Sequence, residues 1–482
     1  MGKLRFSLAV ILISLASYAA AQGSEPNQSF NPVATRTVSG TQIGHYKNGP
    51  VPVDLSVVQV AAYAPNGSGG YNVISGSGTS DGTFTIPDVP TGFYLLQLGR
   101  TYLATSNTMV NADSNSGYRS TGVPADENTT VTFDLTNLNP WQSTDWLEMV
   151  CPNNAAFNLF NGTEGETTFT GTFPYLGNLS DGSQGDQNFI LQLITQRVGS
   201  YPFTALGRGI LPPKFTQQQG SDTPINGRLT AIPQTHKFEA NINGRDLTVQ
   251  ALAANPAAIL IDTQIALTAY PGSLAKGQTT STPDLVAYYV ATGQPFLTTN
   301  GDLGPVFYGN PFPPSKWPLS DAYSWIAVVY YVAPGATKRR GIITLTSGTN
   351  TELPTSTSPI KPLVGVVTNP AINGNDFFAD QTGIGLTPKL KWSPPSVGAA
   401  TFYGVQIYQL DNNEGNTVRT LIASFRTPGR SLTIPEGLLT PGPGYVFVIR
   451  PWYVPGLNFA KTPYMTGPIR AYSDVVSGMM QP

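Results

Sequence analysis

Residues 80–98 read SDGTFTIPDVPTGFYLLQL, and the alternation in this stretch decides the fold class. Asp81-Gly82 is a tight-turn pair, a short carboxylate that bonds its own backbone beside a residue that accepts a positive φ. Phe84 and Ile86 alternate with Thr83 and Thr85, as a half-buried strand requires, and residues 87–92 supply the next bend. Tyr94, Leu96 and Leu98 then share one face of a second strand, so the stretch reads as a β-hairpin. The same grammar of short β-prone runs between Gly, Pro, Asn and Asp continues to the C-terminus and predicts an all-β chain.

Composition points the same way. The 482 residues include 50 Gly and 42 Pro, and only 11% are charged. Turn residues this frequent cut the chain into short strands, which favours β-sandwiches over helical or βαβ architecture, and the length predicts several such domains in tandem. A net charge of −2 offers no attraction to nucleic acid or to an anionic membrane surface. The basic cluster Lys338-Arg339-Arg340 reads as a solvated turn. Cys151 is the sole cysteine, so no intrachain disulfide can form. At the end of an apolar run it reads as a buried small hydrophobe. With only His45 and His236 beside it, a structural zinc site or a Cys-His nucleophile has little to draw on.

The order Asp-Gly-x-Phe-x-Ile, a Pro-containing bend, then Gly-x-Tyr-x-Leu across residues 81–98 resembles the carboxypeptidase regulatory-like domains. That resemblance covers 37–138 and implies a prealbumin-like sandwich acting as a non-catalytic spacer or binding unit. Near the other end, Leu439, Pro441, Gly442, Tyr445, Phe447 and Ile449 follow the order Leu-x-Pro-Gly-x-x-Tyr-x-Phe-x-Ile. With Trp392 upstream, this resembles the fibronectin type III domain, which implies that Trp392 fills a core and that the Tyr445 hydroxyl bonds back across a corner.

The expected organisation is therefore a signal peptide over 1–21, a flexible leader over 22–36, a sandwich over 37–138, a central β-rich region over 139–366 of one or two subdomains, and a fibronectin-like sandwich over 367–482. The signal peptide rests on Lys3 and Arg5, an apolar run at 8–15 and Ala19-Ala20-Ala21. No second long apolar run predicts a membrane span. In the central region, runs at 189–194, 257–261 and 324–332 read as strands. The Asn-Gly-Arg triplets at Asn226 and Asn243 read as hairpin turns.

Two stretches carry candidate chemistry. Residues 306–318 read VFYGNPFPPSKWP, and the prolines bar this run from a sheet interior. Phe307, Tyr308, Phe312 and Trp317 are the candidate binding residues, able to present an exposed aromatic platform to glycans or proteins, although a lid of these rings folded over the core is the favoured reading. Asp113 and Asn115 match the opening of a calcium loop, but Gly117 stands at the fifth position and Pro124 at the twelfth, where that loop has other residues. Residues 411–415 offer a similar fragment that hairpin chemistry already explains. Calcium is the one cofactor suggested, and none other.

A glycosidase needs two carboxylates. Asp145, Glu148, Glu164 and Glu166 are available, yet no spacing puts two of them across a cleft. The expected function is thus a secreted or cell-surface protein with a non-catalytic binding or adhesion role toward extracellular glycans or proteins. A structural subunit of a filament or envelope layer, self-associating through β-edges, is the second reading, and a carbohydrate-active enzyme the third.

Overall fold

The computed structural model describes residues 34–120, 122–271, 282–290, 295–465, 467 and 469–482, so the expected signal peptide and nearly all of the leader lie outside the described residues. Strand accounts for 52% of the described residues and helix for 3%, an all-β protein of stacked sandwich layers.

Asp81-Gly82 does turn the chain, with Gly82 at φ +80° and the Asp81 carboxylate accepting from Thr79 Oγ1 and the Thr83 amide. It joins Ser77–Gly78 to Thr83–Pro90. The second half of the expected hairpin differs. Thr83–Pro90 pairs with Thr35–Thr41, whereas Tyr94–Leu98 pairs with Val60–Pro65 and Thr101–Thr105. The two strands therefore lie in opposite sheets, joined by an arch. A β-bulge and Asp88 at φ +53° carry the first strand through its prolines. Phe84, Ile86, Tyr94, Leu96 and Leu98 converge on one core in either arrangement, so alternation could not separate arch from hairpin.

The sheet of Tyr94–Leu98 extends far beyond this sandwich. Thr101–Thr105 runs parallel to Asn416–Thr427, pairing Tyr102 with Phe425. From there the ladder passes through Phe402–Asn413, Gly444–Tyr453 and Arg470–Ser473 to Arg340–Asn350. It continues through Leu319–Tyr331, Ile259–Ala269, Asp284–Val290, Tyr201–Ile210 and Phe189–Val198 to Trp146–Cys151. One hydrogen-bonded sheet thus joins the two ends of the chain and crosses the middle.

Three groups of residues cover this sheet. Thr35–Thr41 and Thr83–Pro90 cover one face at the joined ends, and the core there takes Phe402, Trp452 and Tyr472 from the C-terminal strands. Thr368–Ile372, Lys389–Ser393 and Ser431–Thr433 cover the other face, and that core takes Ala61, Tyr63, Leu95 and Tyr102 from the N-terminal strands. In the middle, the ribbon of His236–Ile242 with Gly301–Tyr308 and the helix Gly244–Leu252 cover one face. Thr130–Thr136, expected to close the first sandwich, instead joins Phe169–Pro174 and Asp222–Arg228 in a layer packed on Leu147, Met149 and Cys151.

Local motifs fall where local forces decide them. Glu414 and Gly415, at φ +51° and +81°, form the tight turn between Phe402–Asn413 and Asn416–Thr427. The two Asn-Gly-Arg triplets are not turns. Asn226 to Arg228 end a strand, and Asn243 precedes the helix, where a Cβ on Gly244 would lie 2.3 Å from the Phe296 carbonyl oxygen. Trp392 is buried 5.4 Å from the ring of Tyr403, and the fully buried Tyr445 accepts from the Thr440 amide at 2.9 Å. Tyr445→Phe should cost about 1 kcal/mol in a urea melt, the worth of one hydrogen bond.

Candidate functional site

The aromatic run folds over the core and does not form the candidate platform. Gly301–Tyr308 is a strand, so alternate residues face opposite sides. Phe307 is 49% exposed while Tyr308 is 2% exposed and stacks 5.5 Å from His236. Beyond the strand, Asn310 Oδ1 accepts from the Phe312 amide and turns that ring inward. Phe312, Trp317 and Phe189 meet at 4.6 to 5.5 Å as a three-ring cluster against the central core. Tyr308 and Phe312 are core residues, Trp317 is half-buried beside them, and Phe307 alone presents a face. One ring is not a stacking platform.

Asp113 and Asn115 lie on either side of Ser114, and Asp113 is already engaged. Its Oδ1 accepts from Thr41 Oγ1 and the Ile43 amide, each at 2.9 Å, and its Oδ2 lies 3.0 Å from His45 Nε2. Asn115 pairs with His45 in a short parallel ladder. These bonds tie the segment to the strand Ile43–Tyr46. Among the described residues, no group of three or more His, Cys, Asp or Glu side chains is placed to hold a metal ion.

Two carboxylates of the central region come together 136 positions apart. Glu148 is fully buried on Trp146–Cys151, and its oxygens lie 3.3 and 3.4 Å from the amide of Asp284. Tyr289 donates to Asp284 Oδ2 at 3.0 Å and packs 5.1 Å from Trp146. Burial pushes both carboxyls up, Asp284 to about 7, and the Asp284 charge pushes Glu148 further. The other carboxylates named from the sequence do not join this pair: Asp145 is spent on the amide of Thr195, and Glu164 and Glu166 are exposed on a loop.

The pair has a pH consequence. A carboxyl whose pKa is higher folded than unfolded stabilises the fold fully below about pH 4, and that contribution is lost as pH rises toward about 7. The melting temperature should therefore be several degrees higher at about pH 5 than at about pH 8. Asp284→Asn should flatten that difference, and an unchanged slope would remove the pair as its cause.

The most accessible ordered chemistry lies on the outer layer. Register places Thr132 opposite Thr172 on one side and Pro224 on the other, and Asp134 opposite Thr170 and Asn226. Thr132 Oγ1 and Thr172 Oγ1 are 2.7 Å apart, while Asp222 Oδ1 accepts from Thr130 and Thr132 at 2.8 and 2.9 Å. Val131, Phe133 and Leu135 fill the other face. The result is a row of fixed hydroxyl, carboxylate and amide groups, spaced by about 4.8 Å across strands and about 7 Å along them. Val131, Phe133 and Leu135 alternate with polar residues, but the strand's hydroxyl and carboxylate partners lie some 40 and 90 residues away.

No family model and no curated protein matches this chain. Among solved structures, a variant of Salmonella alpha-2-macroglobulin is 9% identical at a TM-score of 0.12, the comparison covering 89% of this chain and 28% of that one. A structure described as the basis for Dscam isoform specificity is 7% identical, TM-score 0.12, covering 93% of this chain and 100% of that one. The four N-terminal Ig domains of Dscam1 isoform 4.44 are 6% identical, TM-score 0.12, covering 92% and 97%. This chain spans under a third of the length of the macroglobulin chain.

Proposed function

We propose that this chain is a secreted or cell-surface protein with a non-catalytic binding role, and that the outer face of the layer around Thr130–Thr136 holds a hydroxyl-rich glycan polymer. The observation that carries the reading is the row Thr172, Thr132, Asp222. These groups are oriented by each other, so little side-chain entropy is lost when they bind a repeating array of sugar hydroxyls. The basic head and apolar run of residues 3–15 support export. No helix among the described residues is long and apolar enough to cross a membrane.

Binding to insoluble polysaccharides and to a glycan array tests this. Thr132→Val and Thr172→Val keep the branched shape a strand favours, so together they should weaken glycan binding about tenfold or more at an unchanged melting temperature. Undiminished binding would overturn the reading. A second reading, a structural subunit, is favoured by one feature. Ile259, Ile261, Tyr330 and Ile343 on neighbouring strands, with Val332 just past the end of one, stand 38 to 54% exposed, a stripe suited to covering by another copy. Sedimentation would then show self-association that Ile343→Lys abolishes.

A further inference from the structure

Among the buried carboxylates, Asp321 differs from the rest in how it is satisfied. Asp186 and Asp474 face arginines, Asp113 faces His45, Asp145 takes backbone and hydroxyl donors, and Glu148 and Asp284 have each other and Tyr289. Asp321 is 4% exposed, and its Oδ1 is buried with no hydrogen-bond partner. An orphaned buried carboxylate oxygen in a folded protein calls for an explanation. It lies at the start of Leu319–Tyr331, opposite Asn350 at the end of Arg340–Asn350, and it lines a small cleft.

The cleft also takes Tyr323, Asn350, Glu352, Ser358 and Lys361. Its volume of about 10 Å³ is room for one water-sized sphere. A single ion or water fits that space. The Tyr323 hydroxyl accepts from the Leu363 amide at 3.0 Å, which fixes the phenol at the cleft wall. Glu352 and Lys361 are exposed at the mouth.

We propose that this cleft binds one hard divalent cation of the calcium class, with Asp321 as its buried carboxylate ligand and Glu352 as a second from the mouth. Oxygen donors and a monatomic volume are what such a cation requires. Lys361 at the rim weakens the site by repulsion. Asp321, Glu352, Lys361 and Tyr323 are the titratable groups facing the cleft. The site is separate from the glycan face and does not depend on it.

Thermal melts of the full chain in about 5 mM calcium chloride, against chelator and against sodium chloride of equal ionic strength, test the proposal. At about pH 8 the calcium sample should melt a few degrees higher. Lys361→Met should tighten calcium binding severalfold in titration calorimetry. Asp321→Asn should abolish the gain, and Glu352→Gln should reduce it if the asparagine variant does not fold. Absence of a calcium effect in both wild type and Lys361→Met would overturn the site. So would a gain that survives in Asp321→Asn and Glu352→Gln, which would move the ion to another place such as Asp113.

Discussion

Phe425→Ala should lower stability by about 3 to 5 kcal/mol and broaden or split a single calorimetric transition. Phe425 is fully buried on the strand that pairs in parallel with Thr101–Thr105, and its ring stacks on Tyr102 with centroids 4.6 Å apart. Truncation removes a large apolar side chain and leaves a cavity at the joint between the first and last parts of the chain. The cost exceeds that of an equal cavity elsewhere in one respect, because cores on both faces of the sheet are shared. Leu95 and Tyr102 lie in the core beneath Thr368–Ile372, and Trp452 and Tyr472 lie in the core beneath Thr83–Pro90. Loosening the joint should therefore let the two ends melt apart. An isolated 369–482 fragment would bare Phe402 and Trp452 to water and should not fold alone. A variant that melts at a lower temperature in one sharp, symmetric transition would show that the ends are held together mainly elsewhere.

How much of this could be read from the sequence follows from the range of the forces involved. Tyr445 was legible because its hydroxyl meets the amide of Thr440, five residues away, inside one turn motif. The Glu414-Gly415 turn was legible for the same reason. The apolar faces of Thr83–Pro90 and Tyr94–Leu98 were legible from alternation. What covers the opposite face was not. Leu95 is fully buried, and Gln97 is 5% exposed with its amide bonded to the Tyr63 hydroxyl and the Gly99 carbonyl. Their cover comes from residues some three hundred positions on, and a satisfied buried glutamine looks in sequence like a solvent-facing one.

The aromatic run failed as a platform for a related reason. Proline content showed that residues 306–318 avoid a sheet interior, and Pro305 and Pro311 are exposed as that argument requires. Lying outside a sheet is not the same as facing water. The ring of Phe189, more than a hundred residues upstream, supplies the surface on which Phe312 and Trp317 fold. The candidate sites that the structure brings forward are likewise long-range: Thr132 with Thr172 and Asp222, and Asp321 with the 352–361 loop.

Asp186→Ala should cost about 3 to 5 kcal/mol, as much as the aromatic truncation, through a different mechanism. Asp186 is 1% exposed and receives Arg119 in a two-pronged bond, Nε to Oδ1 at 3.0 Å and Nη2 to Oδ2 at 2.7 Å. Asn153 Nδ2 at 2.6 Å, the Asp181 amide at 2.8 Å and Asn154 Nδ2 at 3.3 Å also donate to it. Burial works against the Asp186 charge, but the Arg119 bonds and the amide donors outweigh it and hold the carboxyl below its usual range. Its contribution is therefore present above about pH 4 and lost as pH falls below that, opposite in sign to Glu148 and Asp284. The pair also has a place in the architecture. The amide of Arg119 donates to Asn153, and the next residue, Ser120, donates its amide to Asn48 of the first sandwich, so the guanidinium ties that sandwich to the central region. Alanine at 186 leaves a 4% exposed guanidinium without its anion. The pairing of Arg119→Met with Asp186→Leu should recover much of the loss, since it removes both charges together. If the double variant melts no higher than Asp186→Ala, the damage comes from lost packing and amide partners, and the charge pair is not what holds the junction.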